Sequence, residues 1–327
     1  MTNPLLFLWN RLRGQQPNDW YTRYYRSRAA LDAASQRVVG TLYRGFQFDY
    51  EHAADLLHRD SLHPRYRYRR FTQPKADGSE RVLHEPDREL KAIQRDVLKY
   101  LLEPLPPHPA AVGYRRHKSI ADHAWAHAGA SVVILADVAD FFPSTFAERV
   151  ERWWREALRD KYAYPNEELD TDTAAHLMTL LTTYRGSLPQ GAPTSPALSN
   201  LVNREMDERL ERRAAQCNAR YTRYCDDLAF SWRGHDRPPA DFEAAVRGVL
   251  GEYGYTLHTE KGWRVYQGQD EPTITGVILK RGGTVDLPDE IKTTMRQLAR
   301  SRDEYDAARL EGYRAYEAMV KRKGKKR

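Results

Sequence analysis

Tyr221-Thr222-Arg223-Tyr224-Cys225-Asp226-Asp227-Leu228-Ala229-Phe230-Ser231-Trp232 is the stretch on which the fold turns. Residues 221–225 and 228–232 are short apolar and aromatic runs of the kind that form strands, and Asp226-Asp227 falls at the turn between them. Adjacent carboxylates repel, so a hairpin that spends its turn on two of them favours a cation there. A solvated turn is the plain alternative. A second run decides between the two. Ser131–Val138 is β-branched and reads as a buried strand, and Asp137 stands at its C-terminal end, where a carboxylate needs a partner or a metal. Asp137, Asp226 and Asp227 can converge on two Mg²⁺ ions, which take oxygen ligands and keep positions for phosphate and water. Such a pair clamps an in-line phosphoryl displacement.

Outward from this hairpin the chain is globular and modestly basic. Its 327 residues carry 52 Lys and Arg against 45 Asp and Glu, a formal +7, which is compatible with a polyanionic partner without establishing one. The two cysteines, Cys217 and Cys225, fit neither a disulfide framework nor a zinc site and suit a reducing compartment. The start of the chain lacks a basic region and a cleavage site, and no run approaches the ~20 apolar residues that cross a bilayer. The expectation is a soluble, cytoplasmic protein with no membrane partner.

Residues 1–60 read as a helical N-terminal extension without an interpretable motif. A Tyr- and Arg-rich run from Arg65 to Pro74, a turn at Asp77-Gly78 and an extended run from Glu80 to Leu83 predict a hairpin. Asp87 can cap a helix carrying Leu90, Ile93, Val97, Leu98 and Leu101, ended by the prolines from Pro104 to Pro109. Thr145 to Glu148 has the spacing of a capping box for a helix to about Arg159. A helix follows at Thr173–Tyr184, and Ser195-Pro196 suits an N-cap and first turn. The remainder reads as a helix at 239–253, strands at 255–257 and 273–279, one basic helix from Pro288 to Met319, and a cationic tail at 321–327.

Three ordered motifs resemble those of reverse transcriptases: Ala136-Asp137-Val138-Ala139-Asp140-Phe141-Phe142-Pro143-Ser144, Leu188-Pro189-Gln190-Gly191-Ala192-Pro193-Thr194-Ser195-Pro196, and Tyr224 to Asp227. The resemblance runs from about Arg65 to Leu279. It implies an α+β right-hand polymerase with an antiparallel palm sheet, fingers and palm over 61–280, a short helical thumb at 281–320 and the basic tail beyond. It implies that Lys75 and Arg81 flank a fingers tip that closes over a deoxynucleoside triphosphate. Gln190-Gly191 would line sugar and base, and Lys261 would act as an acid for pyrophosphate departure. Phe142, five residues after Asp137, would exclude a ribose hydroxyl and so favour a DNA product.

Within that family the chain is similar to bacterial retron enzymes in Arg88–Leu102, Gly113-Tyr114, Ser119-Ile120, Phe141–Ser144 and Ile274-Thr275-Gly276. The retron element Asn-Ala-x-x-His appears here as His123-Ala124-Trp125-Ala126-His127, with His for Asn. Residues 280–327 leave room for a thumb but not for an RNase H domain. The retron resemblance implies a structured noncoding RNA as template and primer. Synthesis would begin at a 2′-hydroxyl and give a branched RNA–DNA product in anti-phage defence with an effector protein. It implies RNA contacts from His123, His127, Lys292, Arg296 and Arg300. The competing expectations are a reverse transcriptase with another template or primer, and a catalytically idle RNA-binding scaffold.

Overall fold

The structure, a computed structural model, describes residues 68–74, 78, 80–159, 171–259 and 262–322. The N-terminal extension, Lys75, Lys261 and residues 323–327 lie outside the described residues. The chain divides into two compact units, one of 1–102 with 146–195, the other of 103–145 with 196–327.

In the first unit, strands β1 (Tyr68–Pro74) and β2 (Glu80–Pro86) form an antiparallel hairpin in which Gln73 faces Arg81 and Tyr68 faces Pro86. Helix α1 (Arg88–Asp96) starts as its sequence predicts, because the Asp87 carboxylate accepts from Leu90 N at 2.9 Å, a cap that contributes about 1 kcal/mol. It then loosens into a π turn over Val97–Leu102. Gln94 is fully buried beneath the hairpin and donates to Tyr68 Oη and Leu181 O, both at 2.8 Å. Helices α3 (Ala147–Ala157) and α4 (Thr171–Thr182) close this core through the buried Trp154.

The second unit holds helix α2 (Ile120–His127), strand β3 (Val132–Asp137), helix α5 from Pro196 (Ser195–Val202) and helix α6 (Arg204–Ala215). Strands β4 (Arg220–Tyr224) and β5 (Asp227–Trp232), helix α7 (Phe242–Glu252) and strand β6 (Arg264–Gln267) follow. The sheet runs β4-β5-β3-β6, antiparallel throughout. Its central strand β3 is buried over Val132–Ala136 and changes only at Asp137. A three-stranded meander follows, β7 (Thr273–Ile274), β8 (Val277–Lys280) and β9 (Thr284–Asp286), then helices α8 (Asp289–Leu298) and α9 (Glu304–Lys321). Val285, Leu287 and Val320 share one hydrophobic cluster with Ala124, Val133, Leu135 and Ala229. The segment expected as the thumb is therefore packed on the back of the sheet.

Several local expectations change. Thr145 is not the cap of α3: its hydroxyl lies 2.9 Å from Phe141 O and 2.6 Å from Tyr255 Oη, and Phe146 takes the cap position without a side-chain bond. Ser195 does not cap α5 either, since its Oγ donates to Pro189 O at 2.7 Å. The single basic helix is two, separated where the Asp303 carboxylate accepts from Tyr305 N and starts α9 afresh. Residues 273–279 form a hairpin that turns at Thr275 and Gly276, both with positive φ. The expected strand at 255–257 reduces to one bridge, Leu257 to Val138.

Candidate active site

The sheet register carries the chemistry. Asp137 and Asp227 are cross-strand partners at one end of β3 and β5, and Tyr224 pairs with Asp227 across the β4–β5 turn. Cys225 takes a left-handed φ of 60° to close that turn, a conformation unusual for a residue with a side chain. Asp226 O accepts from Val138 N at 3.0 Å and Asp137 O from His258 N at 2.8 Å, so backbone bonds fix both ends of the acidic site. Burial, with Asp226 and Asp137 beside it, raises the Asp227 carboxyl to about 7, and Arg264 only partly opposes them. These are carboxylates held together against their own repulsion.

Beneath the turn lies a buried ion pair that sequence reasoning missed. Arg223 and Asp207 are both fully buried, bonded Nε to Oδ1 at 2.8 Å and Nη2 to Oδ2 at 2.6 Å. The remaining guanidinium nitrogen, Nη1, donates to Cys225 O at 3.1 Å, and Tyr221 Oη donates to Asp207 Oδ1 at 2.8 Å. The pair thus ties β4 to α6 and holds the carbonyl next to Asp226.

Phe142 is almost fully buried and packs edge-on against Phe141, which stacks on Tyr255. A ring held this way is rigid, as a steric gate must be. Gln190 and Gly191 belong to the first unit, where Gln190 O accepts from His84 N at 2.7 Å. Gly191 has φ +121°, and a Cβ there would meet His84 O at 2.9 Å, so only glycine fits. Arg81 is exposed on β2.

His123 and His127, expected to contact RNA, both have fully buried rings. His127 lies 2.7 Å from both Ser231 Oγ and Thr222 Oγ1, and His123 Nδ1 lies 2.8 Å from the same threonine. They clamp α2 to the hairpin of β4 and β5. Lys292 is bound to Asp286 at 2.6 Å. Arg296 and Arg300 are exposed.

Among the described residues no three His, Cys, Asp or Glu side chains are gathered into a group that could hold a metal by itself. The donor chemistry nonetheless fits divalent cations: oxygen donors only, with mutual repulsion that a cation relieves. An open carboxylate set leaves coordination positions for phosphate and water.

The sequence pattern described as "Reverse transcriptase (RNA-dependent DNA polymerase)" matches residues 73–279, more than half of the chain. The chain belongs to the reverse transcriptase family, and its α+β architecture is the right-hand polymerase fold. Within that family its likeness is to the bacterial retron type. It is 38% identical over 232 residues to the retron Mx162 reverse transcriptase of Myxococcus xanthus, covering 66% of this chain and 48% of that protein. To the retron Mx65 reverse transcriptase of Myxococcus xanthus it is 37% identical over 292 residues, covering 81% and 65%. To the retron Ec86 reverse transcriptase of Escherichia coli it is 34% identical over 168 residues, covering 51% and 49%. The chain thus spans between about half and two thirds of the length of these relatives. Among solved structures, apo telomerase of Candida tropicalis truncated from its C-terminal domain matches at TM-score 0.46 and 12% identity, over 70% of this chain and 56% of that one. Reverse transcriptases use divalent metal ions. Among the described residues no helix is long and apolar enough to cross a membrane.

Proposed function

We propose that this chain is the RNA-directed DNA polymerase of a retron, which copies its own structured noncoding RNA into branched RNA–DNA. The polymerase reading rests on the register of β3 and β5, which sets Asp137 opposite Asp227 beside the Asp226 turn, and the likeness to retron reverse transcriptases supports the retron part. Two Mg²⁺ ions held by Asp137, Asp226 and Asp227, when bound, supply the Lewis acidity that activates the attacking hydroxyl and stabilises the leaving pyrophosphate. The protein's own contribution is positional and electrostatic. Phe142 closes the space of a ribose 2′-hydroxyl and selects deoxynucleotides. Lys75 and Arg81 neutralise the triphosphate, Gln190 and Gly191 line its sugar and base, and Lys261 protonates the departing pyrophosphate. The first nucleotide joins a 2′-hydroxyl of the RNA, which makes the branch. Arg296 and Arg300 attract RNA phosphates, and an effector protein joins the complex in anti-phage defence.

The test is to purify the protein with its flanking DNA, extract the bound nucleic acid, and treat it with RNase and a debranching enzyme. A discrete cDNA joined to RNA through a 2′–5′ bond is expected. Asp226→Asn should lower primer extension on an RNA template by at least about a hundredfold. Unbranched cDNA from the native complex would remove the retron reading while leaving the polymerase.

A further inference from the structure

Residues 110–114 run alongside β4, the edge strand of the catalytic sheet, and end at its active-site turn. Val112 N donates to Arg223 O at 2.7 Å, Arg223 N donates to Ala110 O at 2.8 Å, and Ala111 bridges Arg223 in parallel. Gly113 is pressed so close that a Cβ would meet Cys225 N at 2.9 Å, and Asn200 Nδ2 donates to its carbonyl at 2.8 Å. Everything in this short run serves to deliver Tyr114. That residue holds a left-handed φ of 58°, strain that persists only where the surroundings impose it. Its hydroxyl donates to Cys225 Sγ at 3.3 Å, and its ring lies 6.2 Å from Tyr224 and 6.3 Å from Phe142. Yet the residue is 48% exposed. A well-anchored aromatic face is thus left open beside the catalytic aspartates.

The residues that follow are cationic. Arg115 is turned inward onto the carbonyls of Pro109 and Ala111, each at 3.2 Å, and braces the loop. Arg116, His117 and Lys118 are exposed, and Lys118 keeps only a long contact, 3.5 Å, to the Asp122 carboxylate. A stacking face followed by exposed cations is how proteins take hold of a nucleic-acid strand without reading its sequence. We propose that Tyr114 with Arg116 and Lys118 forms the seat of the growing DNA strand, the ring against its terminal nucleotide and the two cations along its phosphates. The strand is chosen over the template because its reactive end must reach the aspartates, and Tyr114 touches the residue adjoining Asp226. The inference deepens the polymerase reading and rests on it.

The test uses the full chain and a fluorescent DNA primer annealed to RNA, with affinity measured by anisotropy across a salt series without divalent metal. Tyr114→Ala should weaken hybrid binding about tenfold, and Tyr114→Phe, which keeps the ring, should restore most of it. The double variant Arg116→Ala/Lys118→Ala should reduce the slope of log affinity against log salt by about one to two. Arg247→Ala, an exposed cation on α7 paired with Glu243, serves as the charge control and should leave the slope as in the wild type. A wild-type slope in the double variant would overturn the proposal. So would a Tyr114→Ala protein with full hybrid affinity and a raised KM for the deoxynucleotide. Binding is read without catalysis, so a wild-type enzyme that holds the hybrid but never extends it would sink the polymerase reading alone.

Discussion

Asp227 answers to two demands at once. Burial and two neighbouring carboxylates raise its affinity for a proton, to a value of about 7, while the proposed chemistry needs it as a carboxylate. Proton and metal therefore compete for the same group. Primer extension at limiting Mg²⁺ should rise with pH through an apparent midpoint near 7, and that midpoint should move to lower pH as Mg²⁺ is increased. Rates measured over a grid of pH and Mg²⁺ check this. An acid limb that stays fixed at every Mg²⁺ concentration would assign the titration to another group. The same residue shows what a sequence yields most readily: an apolar run that stops at a charge, repeated on two strands, has few structural explanations. Tyr114 offered no such signal, because its significance lies in a backbone angle and in a neighbour 111 residues away.

At the scale of elements, the catalytic turn is held from below by the union of β4 and α6. Arg223 and Asp207 lose their hydration entirely, and their mutual bonds offset that cost only while both are present. Arg223→Met alone should therefore destabilise the protein by about 3–5 kcal/mol, because it strands a buried carboxylate. Arg223→Met/Asp207→Leu should recover much of that stability, with extension still depressed because Cys225 O has lost its donor. Urea unfolding and primer extension on the three proteins separate the two effects. A double variant no more stable than the single would mean that the pair's worth lies elsewhere than in mutual compensation. Element boundaries were legible where the deciding bond is local, as at the Asp87 cap. They were not where a distant group claims the side chain, as Tyr255 does with Thr145 across 110 positions. Nor did the break before α9 announce itself, since Ser301-Arg302-Asp303 contains neither Gly nor Pro.

Across the whole molecule, the two histidines buried between α2 and the sheet couple folding to pH. Burial holds His123 down at about 3, with Arg223 adding to the effect. It holds His127 well below the ordinary value, assisted by His123, Arg220 and Arg233. In the unfolded chain both take up a proton near 6.5. From 6.5 downward toward 3 the unfolded chain thus binds more protons than the folded one, and stability falls as pH falls. Asp227 acts the other way in metal-free protein. Raised from 3.8 to about 7, it binds its proton more readily when folded and adds stability as pH falls through that range. His84, which burial and the nearby Arg185 and Arg70 also hold below the ordinary value, acts in the same direction as the two clamp histidines, so the net change below pH 6 is a loss of stability. His123→Gln, with an amide that does not titrate and can still bond Thr222, should remove one histidine from this balance and make the loss between pH 6 and 5 shallower than in the wild type. Urea midpoints of the two proteins in a metal chelator, at pH 7, 6 and 5, test it. The window stays above the range in which the surface carboxylates of Glu85, Glu252 and Asp286, all held below their ordinary values, begin to add their own acid sensitivity. Equal slopes in the two proteins would show that His123 protonates without unfolding, by opening α2 from the hairpin, and the buried clamp would then be a local hinge rather than a determinant of global stability.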